Sequence, residues 1–292
     1  MRIAPMCSYS QSALFLAVIF ATTNEVTAFT FTQSHRSSAL KRCNTLFIQS
    51  SSSSSCLWST VSKPSTDAST DTITPGFIDT ELRGAAMKLH TRSQAPKEGE
   101  AKEVERTEPY VPTLDDYLKF LVDSKHVYEA LEDAVNNHAD AHPELTAFQN
   151  TGLERTLALE ADIQYLVQTY NLTRPSVGTM GSEYAKEIRQ MIDDDDIPGF
   201  ICHYYNFYFA HTAGGRMIGK KMSALLLNKH GLEFYKWDGN LNKIKDAVKE
   251  SIESLAAVWN PEQKAQCVAA TAGAFRGGGG LNAYLFGGKS GH

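Results

Sequence analysis

The sequence predicts an all-α fold, and three observations carry that prediction. Apolar residues recur at helical spacing through most of the chain after residue 76. Proline, threonine and glycine stand where helices should begin and end. Neither a hairpin turn nor a convincing alternating run occurs. With 42% hydrophobic residues the chain has enough apolar surface for a real core.

Taken in order, Asp79 or Thr80 is placed to cap a first helix running through Arg83, Met87 and His90. Residues 96–112 are polar, with Pro96, Gly99, Pro109 and Pro112, and read as a loop. Thr113 with Asp116 three residues on forms a capping-box pair. Leu114, Tyr117, Leu118 and Leu121 then trace one helix face, continued by Tyr128, Leu131 and Val135. Leu153 to Tyr170 and Tyr184 to Ile192 are two further helices. Pro198 opens a long one reaching Lys229-His230, with Gly231 as its expected terminator. Phe200 to Phe209 alone would suit a strand, but the proline before it and the apolar pattern after it favour helix. Leu241 to Trp259 and Glu262 to Phe275 complete the set. Gly277 to Gly280 reads as a flexible connection.

The beginning of the chain differs in kind. Ala13 to Ala21 is an apolar run of nine residues behind Arg2. A bilayer span needs about 20, so the run reads as a signal-peptide core. Residues 30–65 are rich in Ser and Thr, carry Arg36, Lys41 and Arg42, and lack acids. That is the composition of an organelle transit peptide. The expected organisation is a signal peptide over 1–28, a transit segment over 29–75 and one globular domain over 76–292. The leader resembles the bipartite leaders of algae with secondary plastids, which implies the plastid stroma; ordinary secretion with a disordered linker is the alternative.

Charge and cysteines exclude several functions. The net charge of −5 hides a division: residues 1–65 carry +4 and the rest −9. Non-specific nucleic-acid binding, which needs many phosphate contacts, is excluded for so acidic a domain. Cys202 and Cys267, the two cysteines beyond the leader, are 65 residues apart in no zinc or redox spacing and read as buried thiols. Gly214 to Lys220 nearly matches a phosphate loop, but Lys221 replaces the required hydroxyl and no strand precedes it. His138 and His142 border Pro143 in a loop without a partner ligand. Asp193 to Asp196 lacks the alternating ligands of a calcium loop.

Two segments carry chemistry. On a continuous helix Arg83, Met87, His90 and Gln94 share a face, and Arg83 and His90 lie two turns, roughly 10 Å, apart. An imidazole, a guanidinium and small residues between them suit a flat anionic macrocycle. In the long helix Gly214, Gly215 and Gly219 fall within six residues. Each costs roughly 1 kcal/mol relative to alanine, so something must approach the backbone closely there. Close helix packing and a planar ligand both satisfy that demand.

Together the blocks AMKLHT (86–91), YLKFLVDSKHVYEALE (117–132), NTGLER (150–155), FICHYYNFYFAHTAGGRMIG (200–219) and LEFYKWDG (232–239) resemble the plant and algal haem oxygenases. The resemblance implies an all-α, haem oxygenase-like bundle holding haem between a proximal and a distal helix. It places His90 on the axial ligand to the haem iron. Gly214 and Gly215 fall on the distal glycines, and Arg83, Tyr205, Lys249 and Lys245 on positions that meet haem propionates. His211 takes the distal place where animal members carry aspartate. Gln94 is expected to reach the second ring nitrogen of His90 without the push of a carboxylate.

The implied reaction cleaves haem b, at once substrate and cofactor, at the α-meso carbon. It consumes O2 and yields biliverdin IXα, carbon monoxide and Fe2+, with His90 as ligand and His211, Gly214 and Gly215 steering oxygen and protons. Family members that lack the proximal histidine exist; this chain has it. Electrons must arrive from outside, since no flavin or nicotinamide motif is present, and the resemblance implies ferredoxin as the donor. A local basic face drawn from Lys88, Arg92, Arg216, Lys220, Lys221, Lys245 and Lys249 suits that acidic partner. A bilin reductase downstream, no stable membrane insertion and a monomeric state complete the expectation.

Overall fold

A computed structural model of the protein describes residues 76–92, 94–95, 97–103 and 110–287. The two leader segments expected over 1–28 and 29–75 lie outside the described residues. Among those described the regular structure is helical, with one isolated bridge between Thr91 and Ala101.

The helices are α1 (Arg83–Leu89), α2 (Leu114–Asn137), α3 (Thr156–Tyr170), α4 (Thr179–Asp193), α5 (Ile197–Ala210), α6 (Arg216–Leu226), α7 (Leu241–Val258), α8 (Pro261–Ala269) and α9 (Thr271–Phe286). A π-helical turn, Ile78–Leu82, runs straight into α1, and a second, His211–Gly215, joins α5 to α6. Helix α2 forms the floor, with α3, α4 and α9 against it. Helix α5 packs on α4, α8 and α9, and α9 also receives α1.

Each start has its cause. Thr113 and Asp116 form the expected capping box of α2. Pro143 opens a 3-10 turn, and Pro198 sits in the first turn of α5. The Asp196 carboxylate accepts from Gly199 N at 2.7 Å, so the end of the aspartate run caps α5. Asn260 and Gln263 form a second capping box ahead of α8. Across the floor, buried Asp123 of α2 accepts from Gly178 N (2.7 Å), Gly181 N (3.0 Å) and the Tyr284 hydroxyl (3.0 Å). One carboxylate thus caps α4 and ties down α9.

The core is aromatic. Tyr117, Tyr128, Tyr204, Tyr208, Phe148 and Phe200 are fully buried. Tyr204 and Tyr208 lie one turn apart on α5 with ring centroids 4.5 Å apart, and Tyr128 of α2 meets Tyr208 at 5.1 Å. Such pairs add about 0.5–1.5 kcal/mol each beyond their burial. Phe200 to Phe209 is helical, as the pattern after it requires.

Three expectations are corrected. The long helix stops at Leu226, not at Gly231, because Asn228 and Lys229 adopt positive φ and turn the chain first. The last helix is two, broken at Ala270. Gly277 to Gly280 is no flexible connection; it lies inside α9. A Cβ at Gly277 would stand 2.4 Å from the Tyr184 ring, so its absence lets α9 press onto α4. That contact, with buried Leu281 and Leu285, offsets the poor helix propensity of glycine.

Candidate active site

His90 is where α1 ends. Its backbone leaves the helix into an extended conformation, φ −82° and ψ 143°, and its amide donates to the Met87 carbonyl at 3.2 Å. The Ala86 carbonyl therefore lacks the amide that a continuing helix would bring. The imidazole takes that place: Nδ1 donates to Ala86 O at 2.9 Å. A carbonyl only accepts, so Nδ1 carries a proton. Phe275 of α9 meets the ring edge-on at 5.0 Å. The orientation of His90 is thereby set by a main-chain acceptor and an aromatic neighbour.

Gln94 does not have its expected role. With the helix finished at Leu89, an offset of four no longer puts Gln94 beneath His90. Its Oε1 accepts from Thr91 N at 3.0 Å and closes the turn beyond the helix. The backbone of Ala86 does what was expected of Gln94.

The start of α1 is also held differently from expectation. Neither Asp79 nor Thr80 caps it; Thr80 Oγ1 donates to Gly76 O at 2.9 Å. Glu253 of α7 accepts from Phe77 N at 2.7 Å and Ile78 N at 2.8 Å. Lys245, Lys249 and Glu253 follow one another at intervals of four, which places them along one face of α7. A single helix face thus latches the segment that carries His90 and presents two ammonium groups beside it in sequence register.

Those ammonium groups form part of a cationic cluster. Burial, Lys249 and Arg216 push the Lys245 ammonium below its usual range, with Asp246 opposing. None of the three cations has a carboxylate within salt-bridge distance among the described residues. Three cations without such a partner, with Lys245 partly desolvated, fit the carboxylates of an anionic ligand. Arg83 is engaged: its Nη2 meets Glu98 Oε2 at 2.7 Å, in a pair exposed by more than a third on each side. Such a pair is worth about 0–1 kcal/mol, so a better anion can displace it. Tyr205 is buried close to Asp79 and Arg83; burial and Asp79 push its hydroxyl up to about 12, against the pull of Arg83.

The turn His211–Gly215 is the second half of the site. His211 is buried, with Nε2 donating to Phe234 O at 2.8 Å and its ring stacked on Phe234 at 3.9 Å. Tyr128, Tyr235 and Trp237 surround it within about 6 Å. Burial holds its pKa down to about 3, the Phe234 carbonyl notwithstanding, so the ring is neutral with its lone pair on Nδ1. A Cβ at Gly215 would stand 2.7 Å from that Nδ1, and one at Gly219 would stand 2.6 Å from the Tyr235 ring. The expected clearance for a ligand is amended: the space at these two glycines is taken up by the fold's own aromatic side chains. Gly214 is buried in the same turn.

Asp162 supports this half and was not anticipated. It accepts from Glu233 N at 2.9 Å and Phe234 N at 2.7 Å, and so fixes the peptide whose carbonyl binds His211. Burial raises its carboxyl to about 6 although the two amides oppose the shift. The signal was present: Leu159, Asp162, Ile163 and Leu166 form the buried stripe of α3, and an acid within an apolar stripe needs a partner. Glu253 could likewise have been found as the next step after Lys245 and Lys249. His138 and His142 remain apart from the site, His142 lying 3.6 Å from Asp195.

Comparison with known proteins identifies the family. The family described as "Heme oxygenase" matches residues 79–279. "Heme oxygenase 1, chloroplastic" of Oryza sativa subsp. japonica is 44% identical over 213 residues, covering 72% of this chain and 71% of the relative. The Arabidopsis thaliana protein of the same name is 42% identical over 208 residues, 69% of this chain and 71% of the relative. "Probable inactive heme oxygenase 2, chloroplastic" of Arabidopsis thaliana is 33% identical, covering 59% and 56%. Among solved structures, heme oxygenase-1 of the cyanobacterium Synechocystis in complex with heme aligns with a TM-score of 0.51 at 21% identity, covering 60% of this chain and 77% of that one. The Leptospira interrogans heme oxygenase gives 0.51 at 22%, covering 60% and 85%. At those identities the structures speak for the fold alone. The family match and the plant relatives establish that the chain belongs to the haem oxygenase family.

Proposed function

We propose that this chain is a catalytically active plastid haem oxygenase that cleaves haem b to biliverdin IXα, carbon monoxide and Fe2+ with O2 and electrons from reduced ferredoxin. The observation that carries the reading is the placement of His90 at the end of α1, with its Nδ1 2.9 Å from the Ala86 carbonyl, a main-chain acceptor that orients the ring. An imidazole so oriented would serve as the protein ligand to a haem iron.

Haem, when bound, supplies the iron and the carbon that is oxidised. The protein supplies the rest. His90 Nε2 would ligate the iron, and the Ala86 carbonyl at Nδ1 orients the ring for it. Lys245 and Lys249, with Arg216 beside them, neutralise the propionates. Tyr205 donates its hydroxyl to a propionate, and Arg83 exchanges Glu98 for one. Gly214 would offer its backbone on the distal side, while Gly215 makes room for the His211 ring. His211, whose Nε2–H is committed to Phe234, can only accept at Nδ1 and so orders a proton-bearing water without itself giving a proton. Gln94 has no part in this arrangement beyond closing its turn.

The names of the plant relatives and the Ser/Thr-rich, acid-poor leader support a plastid setting. The lysines and arginines around α1, α6 and α7 support docking of an acidic electron carrier, and a bilin reductase is the fitting consumer of the product.

The test is reconstitution with haemin, followed by reduced ferredoxin, its reductase and oxygen. The Soret band should decay as biliverdin absorbance grows. Stable haem binding without biliverdin would overturn the catalytic reading and leave a haem carrier. Activity with a flavoprotein donor but not with ferredoxin would overturn the assignment of the donor.

A further inference from the structure

Two arginines of the chain hold carboxylates in different ways. Arg174 forks onto Glu160, with Nη1 to Oε1 at 2.7 Å and Nη2 to Oε2 at 2.9 Å. Arg83 gives Glu98 a single nitrogen, Nη2 to Oε2 at 2.7 Å, and makes no second hydrogen bond among the described residues. A guanidinium carries five donors and is matched best by a bidentate carboxylate. Arg83 is therefore engaged without being saturated.

Glu98 reaches Arg83 from a built loop. After His90 the chain turns at Thr91, whose carbonyl accepts from Gln94 N at 3.1 Å and Ala95 N at 2.8 Å. Gly99 N donates to Ala95 O at 2.7 Å, and Ala101 N returns to His90 O at 3.0 Å. A Cβ at Gly99 would collide with the Thr91 and His90 carbonyls, so glycine is what lets the loop close this tightly. The chain thus leaves His90 and comes back to it, and on the way sets a carboxylate beside Arg83, about two turns before His90.

We propose that Glu98 is a built-in competitor for the ligand's propionate at Arg83. It occupies the guanidinium in the empty protein, yields to the entering carboxylate, and so weakens the grip on haem and on its product alike. The inference rests on the reading of Arg83 as a propionate partner given above. Opening the macrocycle leaves both propionates on biliverdin, so the same anion competes with substrate and product. Glu98 acts through Arg83 alone. Because both side chains are more than a third exposed, the competition amounts to at most about five-fold in affinity.

The test is titration of the full chain with haemin, read at the Soret band, and with biliverdin, read by its own absorbance, in the wild type and in Glu98→Gln. The amide keeps an acceptor for Arg83 and removes the charge. Glu98→Gln should bind both ligands about two- to five-fold more tightly. Haemin dimethyl ester carries no propionate charge, so the variant and the wild type should bind it alike. In an Arg83→Ala background the same substitution should change nothing, and neither should Glu100→Gln in the wild type.

Unchanged haemin affinity in Glu98→Gln overturns the proposal. So does weaker binding, which would make Glu98 a residue that preorganises Arg83 for the ligand. Equal tightening in the Arg83→Ala background, towards the ester, or by Glu100→Gln overturns it too, since loss of one negative charge near an anionic ligand would then be the whole effect. Failure of the wild type and every variant to bind haemin would sink the functional reading itself, and the proposal with it.

Discussion

His90 and His211 each donate one ring N–H to a backbone carbonyl, yet their surroundings are opposite. His90 hangs at the frayed end of a seven-residue helix, partly exposed, with Phe275 on one side. The helix that carries it is latched from a distance by Glu253 and flanked by the exposed Arg83–Glu98 pair. His211 sits in a buried cage of aromatic rings, and the peptide that binds it is itself fixed by Asp162. The first half can adjust to an arriving ligand; the second cannot move without disturbing the core. A flat ligand would thus be built in by the α1 side against a prebuilt α5–α6 wall. Changes on the first half should alter function more than stability, and changes on the second should do the reverse.

The largest expected effect breaks the loose half alone. His90→Ala should lower biliverdin formation by ~100-fold or more, since even the partners of a metal ligand are worth 10–100-fold. Because the ring is partly exposed and lies beyond the last helical turn, unfolding free energy should move by less than about 1 kcal/mol. Single-turnover absorbance and urea titration check the two halves of the statement. Equal losses in both would erase the contrast.

Next comes the rigid half, through pH. His211 and His203 are buried and neutral, with burial holding their pKa values to about 3 and about 4. Below about 6.5 the unfolded chain binds protons that these folded rings refuse, so each weakens the fold by about 1.4 kcal/mol per pH unit as pH falls towards 4. Asp162 acts in the other direction. Its folded carboxyl titrates at about 6 rather than 3.8, so between pH 6 and 4 the folded state binds the extra proton. Acidification through that window adds stability from Asp162 while the histidines remove it. Asp162→Asn removes the opposing contribution, and its stability should fall more steeply than the wild type by about 1.4 kcal/mol per pH unit. Urea unfolding at pH 6.5, 5.5 and 4.5 measures the difference; parallel curves would mean that Asp162 titrates ordinarily.

The asymmetry also explains what the sequence made legible. The helices of the bundle were readable because α2 and α4 carry strong apolar stripes and α2 its own capping box. His90 was singled out by residue type and by its two-turn spacing from Arg83, whereas Lys245, Lys249 and Tyr205 entered only through the resemblance to the haem oxygenases. What could not be read was any contact across helices. Glu253 caps a segment 175 residues earlier, and Asp123 caps α4 from α2. Local rules nominated Asp79, Thr80 and Gln94 because only neighbours in sequence were visible. The glycines of α9 looked like a linker for the same reason: Tyr184, which fills the space they leave, lies almost a hundred residues away.

Glu253→Gln sharpens the comparison at an intermediate scale. The amide keeps one acceptor for Phe77 N and Ile78 N and loses the charge on a helix start. A loss of about 1 kcal/mol should appear locally, as faster hydrogen exchange at Phe77 and Ile78, with haemin affinity reduced several-fold. The amides of Glu233 and Phe234, on the other half, should exchange as before.

The smallest effect comes from a pair of glycines and has opposite signs. Gly278→Ala in α9 adds a methyl that meets nothing within 4 Å. It gains helix propensity and should stabilise by up to about 1 kcal/mol. Gly215→Ala gains the same propensity, but its methyl meets His211 Nδ1 at 2.7 Å, on a ring already held by the Phe234 carbonyl. An exposed side chain would swing away; this one can only press on Phe234, Tyr235 and Trp237, an overpacking cost of about 1–3 kcal/mol. The net change should be a loss of about 1 kcal/mol, read as a lowered Tm, against a small rise for Gly278→Ala. A rise for both would mean that His211 has room to move, and the distal wall would then be as adaptable as the helix facing it.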